Sequence, residues 1–253
     1  MMRYLEIIKR TAYILISILW CAQASAADDK SIHTLQFKKW SIDYSCEHRG
    51  YQYFTYTVGA DNGELERFRP FHHESKLPKH CRQFKTSTYK LPKSAPISYD
   101  RGHGVHQNIW DGNESLMRES NSMANILPQA SQLNRKGAWR YTEKLTECFR
   151  DKGPVKVWGG VIWGKDSSND HFKVSHGVTT PDYLWKIIKY PDGMAQGWLF
   201  PNSNVATVAN IDDYLVSIPR LERLSGKEFY LKRTPPKERS AKTRKIPYGC
   251  SLK

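Results

Sequence analysis

The sequence contains no Cys-x-x-Cys pair, no internal repeat and no long low-complexity linker, and it is short of acidic residues. The missing cysteine pair argues against a zinc site built on closely spaced thiolates. Without repeats or linkers, the roughly 227 residues after a leader fit one large domain, with enough apolar and aromatic material for a core. Past the leader no apolar run approaches the ~20 residues that cross a bilayer, so no stable membrane association is expected. Asp and Glu number 25 against 39 Lys and Arg, and losing Arg3, Lys9, Arg10 and Glu6 with the leader leaves 24 against 36. That excess favours a polyanionic partner, nucleic acid above all, because each cation set on a phosphate releases counterions. A basic surface that serves solubility or anionic lipid fits the same composition.

Residues 1–26 read as an export signal. Basic Arg3, Lys9 and Arg10 precede an apolar run from about Ala12 to Cys21, and Ala24-Ser25-Ala26 supplies small residues for cleavage before Ala27. The expected destination is the periplasm or the exterior. Cleavage removes Cys21 and leaves Cys46, Cys81, Cys148 and Cys250, an even number bound for an oxidising compartment, so two disulfides are expected. Four cysteines allow three connectivities. The pairing adopted is Cys46 with Cys81 and Cys148 with Cys250, although the sequence does not separate it from the other two or from buried free thiols.

Leu35 to Val58 is rich in aromatic and alternating residues and reads as strand, followed by a turn at Gly59 and Asn62-Gly63. Helical spacing of Leu133, Ala138, Trp139, Tyr141, Leu145 and Phe149 predicts mostly one helix over residues 132–151, stopped by Gly153-Pro154. Val155–Trp163, Leu184–Tyr190 and Gly197–Phe200 read as buried strands, and Val216–Leu224 as a short helix ending at Gly226. Strand, loop, helix, then more strands predicts an α+β fold with a central, mostly antiparallel sheet flanked by helices. Residues 232–253 form a basic tail with little apolar content, and Cys250 suggests that it is tied back to the body at 27–231.

Chemistry concentrates in Asp100-Arg101-Gly102-His103, followed by Asn134 and Glu143. His103 suits a general base, because a neutral imidazole accepts a proton from water near neutral pH. Asn134 offers an amide oxygen to a hard cation such as Mg²⁺, leaving the full double charge available to a phosphodiester. The competing reading of Asn134 is a helix N-cap, since Asn is favoured there and a helix starts nearby. Glu143 would orient a metal-bound water, against the commoner fate of an exposed helical ion pair.

These residues resemble the DNA/RNA non-specific endonucleases with a ββα-metal fold. The resemblance runs through Asp100–His103, Asn125-Ile126-Leu127-Pro128-Gln129, Leu133-Asn134, Gly137-Ala138-Trp139 and Glu143, and more weakly to about Tyr230. It implies an exported, sugar-nonspecific endonuclease that cuts DNA and RNA to 5′-phosphate ends with one Mg²⁺, Mn²⁺ being the second candidate. By the same resemblance His103 activates water, Asn134 is the direct metal ligand, Arg101 meets the scissile phosphate, and Asn125, Gln129 and Glu143 position phosphate, water or metal. An arginine upstream of the motif is also implied, and either Arg67 or Arg69 fits.

Two departures stand out. A proline common after the motif histidine is replaced by Gly104-Val105-His106, and the family's separation of about eight residues between Asn and Glu is nine here. At about 100° per residue, eight steps leave two side chains about 80° apart and nine put them on opposite faces. A π-bulge or a late helix start near Arg135–Gly137 is therefore expected to absorb the extra residue. Rival readings are a catalytically silent basic nucleic-acid-binding protein on the same scaffold and a phosphodiesterase for small substrates. Distributed charge disfavours the second, and retention of a general base disfavours the first.

Overall fold

The computed structural model describes residues 31–229, 231 and 242–250. The leader and the tail residues 232–241 fall outside the described residues. Among those described, no helix is long and apolar enough to cross a membrane.

Seven strands form one antiparallel sheet: β1 (Ile32–Gln36), β2 (Trp40–Ser45), β3 (Gly50–Val58), β6 (Val155–Ile162), β7 (Tyr183–Lys189), β8 (Ala195–Pro201) and β9 (Leu215–Val216). They lie in that order, each paired with the next. A separate ladder of β4 (Tyr99–His103) and β5 (Ile126–Ala130) is inserted between β3 and β6. The helices are α1 (Glu114–Ser120), α2 (Ser131–Arg135), α3 (Ala138–Phe149), α4 (Lys173–His176) and α5 (Ile218–Ser225). The mixed architecture expected from the sequence is what the chain adopts.

Alternation along the strands assigns each face of the sheet to a core. On β7, Leu184 and Ile188 enter the main core with Trp139, Leu145 and Phe200, whereas Trp185 and Ile187 pack on Leu221 of α5 and Phe229. Lys186 shares the face of Leu184 and Ile188, so its side chain points among apolar groups toward α3.

The single helix expected over residues 132–151 is two. After α2, the Gly137 N–H donates to the Gln132 carbonyl five residues back at 2.7 Å, and α3 starts afresh at Ala138. A side chain at 137 would collide with the Leu133 backbone and with the Ala206 carbonyl that receives the Ala138 N–H, so only glycine fits the break. The wide five-residue step falls in the stretch where a distortion was expected between Asn134 and Glu143.

Both disulfides join the expected partners, Cys46 to Cys81 and Cys148 to Cys250. The second ends a tail segment that is stitched to the body. The Thr243 hydroxyl accepts from Trp198 Nε1 at 3.0 Å, and the Arg244 N–H donates to Gln196 Oε1 at 3.0 Å.

Candidate active site

Strand β4 sends its side chains two ways. Arg101 and His103 share one face, and Asp100 shares the other with Gly102. A Cβ on Gly102 would run into the Gln129 side chain reaching across from β5, so the glycine is what lets the two strands close here.

His103 is buried, and its ring is fixed by a residue the sequence did not single out. Asn121 donates its amide nitrogen to the carbonyls of Phe68 and Pro70, at 2.8 and 3.0 Å, which turns its oxygen toward His103 Nε2 at 2.9 Å. That oxygen can only accept, so Nε2 carries the proton and Nδ1 keeps the basic lone pair. Burial, followed by the charge of Arg67, pushes the His103 pKa down to about 3, and the imidazole is neutral at neutral pH. Arg101 lays its guanidinium 3.7 Å over the Phe71 ring and donates to the Thr86 carbonyl at 2.8 Å. Phe71 also lies 5.6 Å from the His103 ring, so one aromatic side chain backs both groups.

The charge of Arg67 lowers the pKa of both His103 and Arg101. Arg67 and Arg69 are both exposed.

Asp100 organises the start of the helical segment. Its carboxylate accepts from Ser131 Oγ at 3.0 Å, Asn134 Nδ2 at 2.9 Å and Arg135 Nε at 2.7 Å, with Arg135 Nη2 on the second oxygen. Burial alone would raise this carboxyl, but the hydrogen bonds from Arg135, Asn134 and Ser131 outweigh it and hold the pKa below its ordinary value. Asn134 sits inside α2 and does not cap it, because the N-cap position is Ala130. With Nδ2 held by Asp100, the Asn134 amide oxygen faces away from that carboxylate.

Glu143 occupies a third cluster. It accepts from Trp139 Nε1 and from Arg140 Nη1, both at 3.1 Å, and Arg140 also reaches Glu147 at 2.8 Å. His106 Nε2 stands 3.4 Å from Glu147, and Lys186 Nζ lies 3.6 Å from the Trp139 ring centroid. Among the described residues Lys186 has no hydrogen-bond partner, and it is fully buried, which pulls its pKa down to about 8. The helical Glu expected to be exposed in the bland reading is in fact interior.

Two expectations are corrected. Asn125 is completely buried and its polar atoms are spent internally, on the Val105 carbonyl, the Ser120 carbonyl and the Val105 N–H at 2.8 to 2.9 Å. It shapes the loop behind His103 and does not present itself to a substrate. Gln129 is also completely buried, and neither of its amide atoms has a hydrogen-bond partner among the described residues. It too backs the β4–β5 ladder and stays out of solvent.

A two-stranded ladder carrying the histidine, followed by a helix carrying the asparagine, defines the ββα-metal nuclease class. The same fold is present in the crystal structure of an EndoG/EndoGI complex, which superposes with a TM-score of 0.64 over 83% of this chain and 90% of that one at 19% identity. The chain belongs to the DNA/RNA non-specific endonuclease family, whose model matches residues 23–237. Similar proteins include the mitochondrial nuclease EXOG of Danio rerio, 30% identical over 52% of this chain and 42% of the relative. Human mitochondrial EXOG is 27% identical over 69% of this chain and 51% of its own length. The mitochondrial nuclease of Saccharomyces cerevisiae is 22% identical over 61% and 52%. The chain thus spans about half the length of the relatives it matches.

Proposed function

We propose that this protein is an exported endonuclease that hydrolyses phosphodiester bonds in DNA and RNA to 5′-phosphate ends, with Mg²⁺, or Mn²⁺ in its place. The observation that carries the reading is the neutral, oriented His103, whose Nε2 is committed to Asn121 and whose Nδ1 keeps its lone pair. Binding alone has no use for such a base.

The donor set fits a hard divalent ion. Asn134 offers an amide oxygen whose partner nitrogen is held by Asp100, and a neutral oxygen of this kind suits an ion that keeps most of its water. Asn134 would hold the ion, and Glu143 would orient water around it. A bound divalent ion supplies Lewis-acid charge for the phosphorane and the leaving 3′ oxygen. His103 Nδ1 takes the proton from the attacking water, while Arg101 and Arg67 neutralise the phosphate being attacked. Phe71 and the Thr86 carbonyl keep Arg101 in place as the phosphate arrives.

Export is part of the proposal. It is supported by the basic, apolar and small-residue succession of residues 1–26 and by two disulfides, which persist in oxidising compartments.

Nicking of supercoiled plasmid by the purified protein tests the activity. Cleavage is expected with Mg²⁺ and not with EDTA, and His103→Ala should slow it by about 10²- to 10⁴-fold while DNA binding in EDTA persists. Binding without metal-dependent cleavage by the unaltered protein would instead establish a silent nucleic-acid-binding protein.

A further inference from the structure

Phe84 is 56% exposed, yet it is held as firmly as a core residue. Its N–H donates to the His176 carbonyl at 2.8 Å, and the Arg49 guanidinium covers one side of its ring at 4.7 Å from the centroid. Arg49 is itself tied to the carbonyls of His80 and, at 2.7 Å, Arg82. The far edge of the ring faces Gly177, at φ +74°, where a Cβ would come within 2.9 Å of Phe84 Cζ. Arg49 is the one non-glycine residue among those described with a positive φ, +51°, a conformation that persists only where its surroundings enforce it. A lone exposed apolar side chain ordinarily needs no explanation. Bracing by a cation, a backbone hydrogen bond and a strained residue does.

Position and charge indicate what the ring receives. Two residues beyond Phe84, the Thr86 carbonyl holds Arg101, so ~7 Å of chain separates the ring's backbone from the anchor of that arginine. Exposed Lys85 and Lys90 lie on the same segment, and Arg49 adds a third cation. We propose that Phe84 is a stacking platform for an unpaired base of the strand whose phosphate meets Arg101, so that single-stranded DNA and RNA bind in preference to duplex. An aromatic face accepts any base, and flanking cations track the backbone, whereas a duplex keeps its base faces stacked inside. The inference rests on the nuclease reading above.

Fluorescence anisotropy with labelled oligothymidylate and with a labelled duplex, both in EDTA, tests it on the full chain. Phe84→Ala is expected to weaken single-strand binding about tenfold and duplex binding by less than about twofold, and Phe84→Trp to restore the former. Thermal unfolding of the three proteins should coincide, since the side chain is at the surface. Equal affinities for unaltered protein and Phe84→Ala, or equal losses on both probes, would overturn the platform and leave the nuclease reading intact. An unaltered protein that binds neither probe in EDTA and nicks no plasmid with Mg²⁺ would overturn both.

Discussion

His103 and Glu147 are about equally buried, and both have their pKa pushed down, to about 3 and about 2. The consequences are opposite. For the imidazole, burial and the neighbouring charges of Arg67, His106 and Arg101 act together, and the result is a neutral base. For the carboxylate, burial pulls upward, but His106 and Arg140 beside it pull harder downward, and the group stays charged. Positive neighbours therefore leave the imidazole neutral and the carboxylate charged.

The strongest way to break the comparison is to remove the cation that serves the carboxylates. Arg140→Met leaves Glu143 and Glu147 buried with only Lys186 and His106 nearby, and should cost about 3–5 kcal/mol in denaturant unfolding. A loss below about 1 kcal/mol would show that the cluster is solvated in practice. Asp100→Ala acts on the other side of the site. Its ion pair with the largely exposed Arg135 contributes little to stability, about 1 kcal/mol or less. Freeing the Asn134 amide should nevertheless lower cleavage about 10- to 100-fold, and unchanged steady-state rates would show that Asp100 orients nothing that matters.

Acid titration sharpens the same contrast with a smaller effect. The unfolded chain protonates His103 near 6.5 and the folded one only near 3, so the unfolded state binds more protons between these values. Stability contributed by the neutral ring is thus lost as pH falls from about 6.5 toward 3, by up to about 1.4 kcal/mol per pH unit. Glu147 contributes stability present above its ordinary 4.5 and lost as pH falls toward 2. Urea midpoints of unaltered protein and His103→Ala measured from pH 7 to 5 separate the two, because of these two groups only His103 takes up a proton there, in the unfolded chain, and the difference between the proteins cancels the other histidines. Parallel curves would mean that the ring is solvated and ordinary.

Much of this was legible beforehand. Alternating aromatics announced β2 and β3, and the nine-residue interval from Asn134 to Glu143 announced a break that Gly137 provides. Asn121 and Phe71 escaped notice because their roles exist only through contacts with Phe68, Pro70, Arg101 and His103, which lie 18 to 53 residues away from Asn121 or pack on a ring with no motif around it. Asn125 was misread for a different reason, since an amide suits a phosphate and a backbone carbonyl equally well, and Gln129 because its burial is set by the approach of Gly102 on the facing strand. Lys186 carried a signal that went unused: a charge within Leu184-Trp185-Lys186-Ile187-Ile188 has to find an interior counterpart.

The Cys148–Cys250 bond turns the last hundred residues into a closed ring of chain running from the end of α3 out through β6, β7, β8 and back. A single proteolytic nick anywhere in that ring would leave both fragments covalently joined, and one band would persist on a gel until a reductant is added. Backbone damage in this half of the chain need not mean disassembly.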